Sequence, residues 1–315
     1  MNATWGSVTQ YDPVIWNWMI ASYLFLAGLS AGALIVALAI RWYRKAKDQP
    51  YDHTPTLQAA ALIAPVSICL GMLFLVMDLT KPLEFYLIVL NYNPSSVMSL
   101  GVMALNLYIP LTFVFCFWVF RKPIQRRLPR LTGLIDRIDR HHRGLLVVLF
   151  ALALIAAIYT GILLSVLNSY PILNTAVLPA LFLASSIAAG SAGNSLVGYW
   201  LARHQPSDDL NQMHQLEYPV AFSEALCLVL LFVGLLFSGP AAQTAINALT
   251  NGAWAVLFWS AVVGLGLGVP VLANLFASKH WLHGRFASLL LPCCTLVGVL
   301  AMRYFVVYAG QSYTI

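Results

Sequence analysis

The chain reads as eight long apolar runs, each bounded by polar, charged or proline-rich segments: 16–40, 57–77, 97–120, 144–167, 176–201, 219–238, 253–276 and 286–308. About 20 apolar residues are enough for a helix to cross a hydrocarbon core, so the pattern predicts eight transmembrane helices. Pro65, Pro110 and Pro270 fall inside runs. They predict kinks rather than helix ends, because neighbouring helices in a bundle satisfy the freed carbonyls.

Composition supports this reading. Of the 315 residues 60% are apolar and 9% charged, with a mean hydropathy of +0.80. Soluble domains are about 45–50% apolar and about 25% charged, so this chain lacks the polar surface to face water. The net charge of +6 raises nucleic acid as a partner, but the positions of the basic residues argue against it. The connections after spans 1, 3, 5 and 7 carry 4, 8, 1 and 2 Lys or Arg, whereas the other face carries Lys81 alone. That asymmetry predicts both termini on the extracytoplasmic side. It assigns the cluster Arg121, Lys122, Arg126, Arg127 and Arg130 to topology and anionic membrane lipid, not to nucleic acid. No Lys or Arg precedes Arg41, so the first span is expected to be retained rather than cleaved as a signal peptide.

The halves echo each other. Leu24-Phe25-Leu26-Ala27 returns as Leu181-Phe182-Leu183-Ala184, Pro65 as Pro219, Pro110 as Pro270, and Tyr159-Thr160-Gly161 as Tyr308-Ala309-Gly310. A tandem duplication and the shared composition of packed helices both account for this. The expected fold is an all-α integral membrane protein: an extracytoplasmic segment 1–15, a first four-helix bundle 16–170 and a second 171–315. Close helix contacts are expected at Gly28 and Gly32, at Ala189 and Gly193, and along Gly264, Gly266 and Gly268.

The seven histidines, His53, His141, His142, His204, His214, His280 and His283, all fall in inner connections or at their edges. Haem b held between helices needs histidines inside the spans, so none is expected. His280 and His283 have a spacing compatible with a metal, but a solvated interfacial loop explains them better. The five cysteines form no CxxC pair, so neither an iron-sulfur cluster nor a c-type haem is expected in this chain.

Ionisable groups at membrane depth carry a cost and therefore attract attention. Glu224 sits about five residues into span 6 and is a candidate proton route. Arg303 sits a similar distance from the opposite face, so a direct pair with Glu224 is not expected, whereas Asp78 at the end of span 2 can reach Arg303. Lys81 can anchor Asp78 or dock a partner. Tyr23 and Tyr159 lie at one depth, about 10–13 Å below the outer face at 1.5 Å per residue. Both phenols there can either pack as aromatics or hydrogen-bond a quinone carbonyl.

With these residues in view, the chain resembles the integral membrane subunits of the NrfD and polysulfide reductase type, over nearly its whole length. The resemblance rests on Trp16-Asn17-Trp18 leading into Tyr23 to Gly32, on Asp78-Leu79 with Pro82 and Phe85, and on Ser95-Ser96-Val97-Met98-Ser99. It continues through Tyr159-Thr160-Gly161 with Ser165 and Tyr170-Pro171, then Arg303-Tyr304-Phe305 with Tyr308-Ala309-Gly310-Gln311. It implies a haem-free, multi-pass subunit of the bacterial cytoplasmic (inner) membrane. Such a subunit oxidises menaquinol and passes electrons to an extracytoplasmic four-cluster iron-sulfur subunit. That partner serves a molybdopterin or multihaem catalytic subunit, so this chain is not catalytic alone for the terminal acceptor. The resemblance also implies quinone contacts on spans 1 and 4. Tyr159 matches the family's span-4 tyrosine, whereas Ile20 and Tyr23 stand where an Asn and a His would be. Tyr23 and Tyr159 then bind the quinol oxygens and Asp78 takes or relays a proton. The competing readings are a secondary transporter or proton-translocating subunit, suggested by the repeat and Glu224, and a structural anchor that binds no quinol.

Overall fold

The computed structural model describes residues 16–79, 81–90, 93, 96–129, 132–167, 170, 172–202, 208–237, 246–250, 252–276 and 285–311. Segment 1–15, Thr80, Ser95, Pro171, His204, His280 and His283, and the side chain of His214, lie outside them. Among the described residues, eight helices are long and apolar enough to cross a membrane and no strand occurs. They are α1 (Trp18–Ala46), α2 (Pro55–Asp78), α3 (Val97–Val119), α4 (His142–Ser165), α5 (Leu178–Leu201) and α6 (Asp208–Phe237). Next comes α7, comprising Gly252–Val256, Leu257–Gly268 and Val269–Phe276, and last α8 (Arg285–Gln311).

Local chemistry sets several helix ends. The Asn17 side chain accepts from the Met19 N–H at 2.8 Å to start α1, and Thr54 does the same for Leu57, with Pro55 at the first helical position of α2. Both satisfy donors that a helix start leaves open. Pro65 and Pro110 lie within continuous helices. The sixth helix departs from expectation: it begins at Asp208 and runs unbroken through Pro219. In α7 the stretch Leu257–Gly268 is π-helical, a wider coil in which each N–H reaches one residue further back.

Helices α1 and α5 are the most enclosed of the eight. They meet backbone to backbone: a Cβ on Gly32 would fall on the Ser186 carbonyl, and one on Gly190 would fall on the Gly32 backbone. Asn194 Nδ2 donates to the Ala33 carbonyl at 2.8 Å beside this crossing. The small pair that faces Gly28 and Gly32 is therefore Ser186 with Gly190. The expected small residues Ala189 and Gly193 also make close contacts, but with side chains: a Cβ on Gly193 would lie 2.9 Å from Leu29 and 3.5 Å from Ile63, and Ala189 packs in a cluster with Val299. A second close contact joins Gly266 of α7 to Gly298 of α8. Gln311, at the end of α8, accepts from the Trp16 N–H at 2.8 Å and donates to the Trp16 carbonyl at 3.0 Å, holding the start of α1.

At the opposite end, two basic residues counted with the first connection prove to be buried: Arg41 and Arg44 are each 5% exposed. Arg41 pairs with Asp52 at 3.1 Å and lies over the rings of Tyr51 and Trp118. Trp118 donates to Asp139 at 2.8 Å, His142 stacks on its ring, and Arg121 covers it from another side. Next to this cluster, burial first and then the charges of Arg121 and Lys122 push His53 below the ordinary histidine value of 6.5, with Asp52 opposing. A folded-state value below the unfolded one means that the unfolded chain takes up the proton first. The stabilisation is thus complete above 6.5 and is lost as pH falls from there towards the folded value. Replacing Arg121 with Gln is expected to move the His53 titration upwards, measured by NMR on specifically labelled protein; an unmoved titration contradicts this coupling.

Candidate functional site

The first four helices bring the predicted tyrosines together. Tyr23 lies five residues inside the start of α1 and Tyr159 six residues inside the end of α4, which at 1.5 Å per residue is about 8 and 9 Å. The two helices pack against each other, so both phenols stand at the same end of the bundle. Tyr23 is 3% exposed and packs beside Gly71 of α2. Its hydroxyl makes no hydrogen bond among the described residues. The Tyr159 ring fills a slot in α3 made by Gly101, where an added Cβ would fall on the ring itself. Its hydroxyl donates to the Met98 carbonyl at 3.3 Å. Four helices thus build the site: α1 and α4 contribute the phenols, α2 and α3 the glycines that admit them.

Ile20 lies one turn from Tyr23 towards the start of α1, half-buried and packed on the core. It offers apolar contact and no hydrogen bond. Trp18 meets Phe74 of α2 edge-on at 5.6 Å, and Asp78 follows one turn beyond Phe74, half-buried at the helix end. This places Asp78 at the same end of the bundle as the two phenols.

Two pairings that the sequence allows are not formed among the described residues. Lys81 pairs with Glu84 at 3.3 Å on the surface, not with Asp78. Arg303 does not meet Asp78 either. It is fully buried and turns into the protein between α1 and α5, where one Nη donates to Ser185 at 2.8 Å, to the Phe182 carbonyl at 3.2 Å and to Ser186 at 3.3 Å. Its guanidinium also lies 3.6 Å from the centre of the Phe182 ring. The reason is steric: Gly28 lacks a side chain at this level, and an added Cβ would approach the guanidinium to 3.3 Å. No ion pair within 4.0 Å joins Arg303 to Glu224 among the described residues. Their separation in depth is smaller than expected because α8 runs on to Gln311, past the end of its apolar run at Tyr308. Glu224 lies thirteen residues before Phe237 and Arg303 eight before Gln311, about 20 and 12 Å from the same end.

Sequence reasoning did not find Gly101, Ser185, Ser186 or Phe182. Gly101 had a signal, a small residue in the first turns of an otherwise bulky span. The serines had none, since a serine in a span more often bonds its own helix.

Residues 6–314 match the family model "Polysulphide reductase, NrfD". The protein belongs to the NrfD family. It is 43% identical over 317 residues to the C subunit of polysulfide reductase from Wolinella succinogenes, a match spanning 99% of both sequences. It is also 37% identical over 322 residues to the protein NrfD of Escherichia coli, spanning 98% of both, and 35% identical over 306 residues to an NrfD homologue of Haemophilus influenzae, spanning 95% of both. This NrfD-family member is thus a multi-pass membrane protein whose eight helices correspond, in number and order, to the apolar runs of its sequence.

Proposed function

We propose that this chain is the membrane subunit of a respiratory reductase, oxidising menaquinol at the end of the bundle where Tyr23 and Tyr159 meet. The observation that carries the reading is the pair itself: two phenols from different helices at one depth, one of them with its hydroxyl unengaged. The names of the Wolinella and Escherichia relatives support the wider role. When bound, menaquinol supplies two electrons and two protons. Tyr23 donates its hydroxyl to one ligand oxygen, while Tyr159, held by Met98 and the Gly101 slot, orients a second contact. Ile20 and the aromatic pair Trp18–Phe74 keep water from the phenols. Asp78 accepts a proton at its carboxylate and passes it to the adjoining aqueous face. The electrons leave to an extracytoplasmic iron-sulfur subunit with four clusters, and from there to a molybdopterin or multihaem catalytic subunit. Both termini and the tyrosine end then face the extracytoplasmic side of the bacterial cytoplasmic membrane, with the basic connections inside.

Purified in its native lipids, the protein should retain extractable menaquinone, and membranes containing the whole complex should reduce the iron-sulfur subunit on addition of a menaquinol analogue. Absence of both overturns the reading in favour of transport or passive anchoring.

A further inference from the structure

The end of the bundle that carries the basic connections holds groups that quinol oxidation at Tyr23 and Tyr159 does not use. An open groove of about 260 Å³ lies there between α3, α4 and the short surface helix Thr132–Arg140 of the connection between them. Its walls are Val114 of α3, Ile138 of the surface helix and Leu145 of α4, and its polar groups are Arg137 and His141. Val114 lies five residues before the end of α3 and Leu145 three after the start of α4, about 8 and 5 Å along the helices at 1.5 Å per residue. The groove therefore starts at the polar end of the spans and reaches into their apolar part.

The surface helix is fixed on one side and free on the other. Ile135 is buried and Ile138 packs on the core. Asp139 accepts from Trp118 and pairs with Arg121 at 3.7 Å, and Asp136 accepts from Gln125 at 3.2 Å. Both carboxylates of the helix are thus engaged elsewhere, and Arg137 has no acidic partner among the described residues. Arg137, Arg140 and His141 are three and four residues apart, so they share one face. His141 donates Nδ1–H to the Arg137 carbonyl at 3.1 Å, which leaves Nε2 for the groove.

Shape and charge together narrow the occupant. The walls continue away from the basic end through exposed apolar side chains, Leu107 two turns along α3 from Val114 and Val148 one turn along α4 from Leu145, so the groove opens onto lipid. Its volume far exceeds the ~10–15 Å³ that one water needs, and its walls give water no partner besides Arg137 and His141. An inorganic anion would leave the apolar walls uncovered. Phosphatidylethanolamine would bring an ammonium towards Arg137 and Arg140, which repel it. An anionic glycerophospholipid fits both parts, with a negative phosphodiester for the basic face and an apolar chain for the walls.

We propose that this groove binds one anionic glycerophospholipid, its phosphodiester held by Arg137 and His141 and one acyl chain laid along Ile138, Val114 and Leu145. Arg137 supplies charge-assisted N–H bonds to the phosphate oxygens. The lipid bridges the surface helix to α3 and α4, and so holds the segment whose Asp139 meets Trp118 and Arg121. This differs from the general attraction of a basic loop to an anionic surface, because it requires one headgroup at one place in each chain. The site rests on the membrane location of the protein and is independent of the quinol reading.

The test uses the full-length chain in detergent, equilibrated with equal amounts of phosphatidylglycerol and phosphatidylethanolamine and stripped stepwise, with retained lipids counted by native mass spectrometry. In the wild type the last lipid to leave should be a single phosphatidylglycerol. Arg137→Gln combined with His141→Ala should lower its retained fraction at least about fivefold. Both residues are exposed, so the double variant should keep the wild-type elution profile. Val114→Trp fills the groove without removing a charge and should expel the lipid as far. Arg126→Gln combined with Arg127→Gln removes two exposed charges from the same connection and should leave retention within about twofold. Full retention in both groove variants overturns the site. Equal loss in the Arg126 and Arg127 variant reduces it to loop electrostatics, and displacement of the lipid by inorganic phosphate reduces it to a simple anion site; either result overturns the proposal. Preferential retention of phosphatidylethanolamine contradicts the charge match and does the same.

Discussion

Tyr159→Phe should lower menaquinol-dependent electron transfer at least about tenfold while leaving the complex assembled. The substitution removes only the hydroxyl. The ring remains in the slot at Gly101, so the packing of α4 on α3 is kept. What is lost is the bond to the Met98 carbonyl, which holds the phenol in place, and the hydroxyl that orients the ligand. A hydrogen bond of this kind is worth about 0.5–1.5 kcal/mol, and loss of the orienting contact multiplies the effect, since a misplacement of about 1 Å can cost about 10²-fold. Gly101→Ala provides a companion test by a different physical route. Its Cβ would occupy the space of the Tyr159 ring, so the whole side chain must swing out, and activity should fall as far or further. Turnover by membranes, normalised to the amount of assembled complex, checks both. Unchanged rates in Tyr159→Phe would remove Tyr159 from the site. A normal rate in Gly101→Ala would show that the slot does not hold the ring in place.

Gly32→Val should largely abolish accumulation of the folded protein. At the α1–α5 crossing the added carbons would meet the Ser186 carbonyl, which belongs to a helix backbone and cannot rotate aside. The helices must separate. That breaks the Asn194 bond to the Ala33 carbonyl and displaces Ser185 and Ser186 from Arg303. Overpacking a core costs about 1–3 kcal/mol, and leaving a buried charge without its partners adds about 3–5 kcal/mol. These costs fall on a native state stabilised by about 5–15 kcal/mol in total. Gly193→Ala makes the contrast: its Cβ meets the ends of Leu29 and Ile63, which can turn. Size-exclusion profiles of the two variants in detergent should differ sharply, with Gly193→Ala close to wild type. Equal profiles would contradict the crossing.

Contacts between helices are also where sequence reasoning loses its hold. Apolar runs identified all eight helices because a span must satisfy its backbone internally, and only a helix of sufficient length does so. The run for the sixth helix began at Pro219, yet the helix starts at Asp208. Hydropathy marks where lipid begins, whereas a helix continues into water as long as its hydrogen bonds are satisfied. Tyr23 and Tyr159 were legible together because depth follows directly from position at 1.5 Å per residue. Depth left the partner of Arg303 open, because depth says nothing about azimuth. Asp78 was within its reach, and it turns instead towards Ser185 and Ser186. Lys81 shows the same limit on a smaller scale: Glu84 lies one turn ahead in the Pro82–Glu84 turn, nearer than Asp78.

The sequence by itself determined the number of spanning helices, their order and their approximate ends, and it drew attention to the few ionisable and phenolic groups within them. Tertiary structure alone decided which faces meet: Gly32 on Gly190, the Tyr159 ring on Gly101, and the Arg303 guanidinium on Phe182. The physical reason lies in the solvent. Lipid tails and a helix core are equally apolar, so hydrophobicity reports the length of a span but not its inward side. The inward side is set by the fit of surfaces, where a missing Cβ or a buried hydroxyl matters more than a run of leucines.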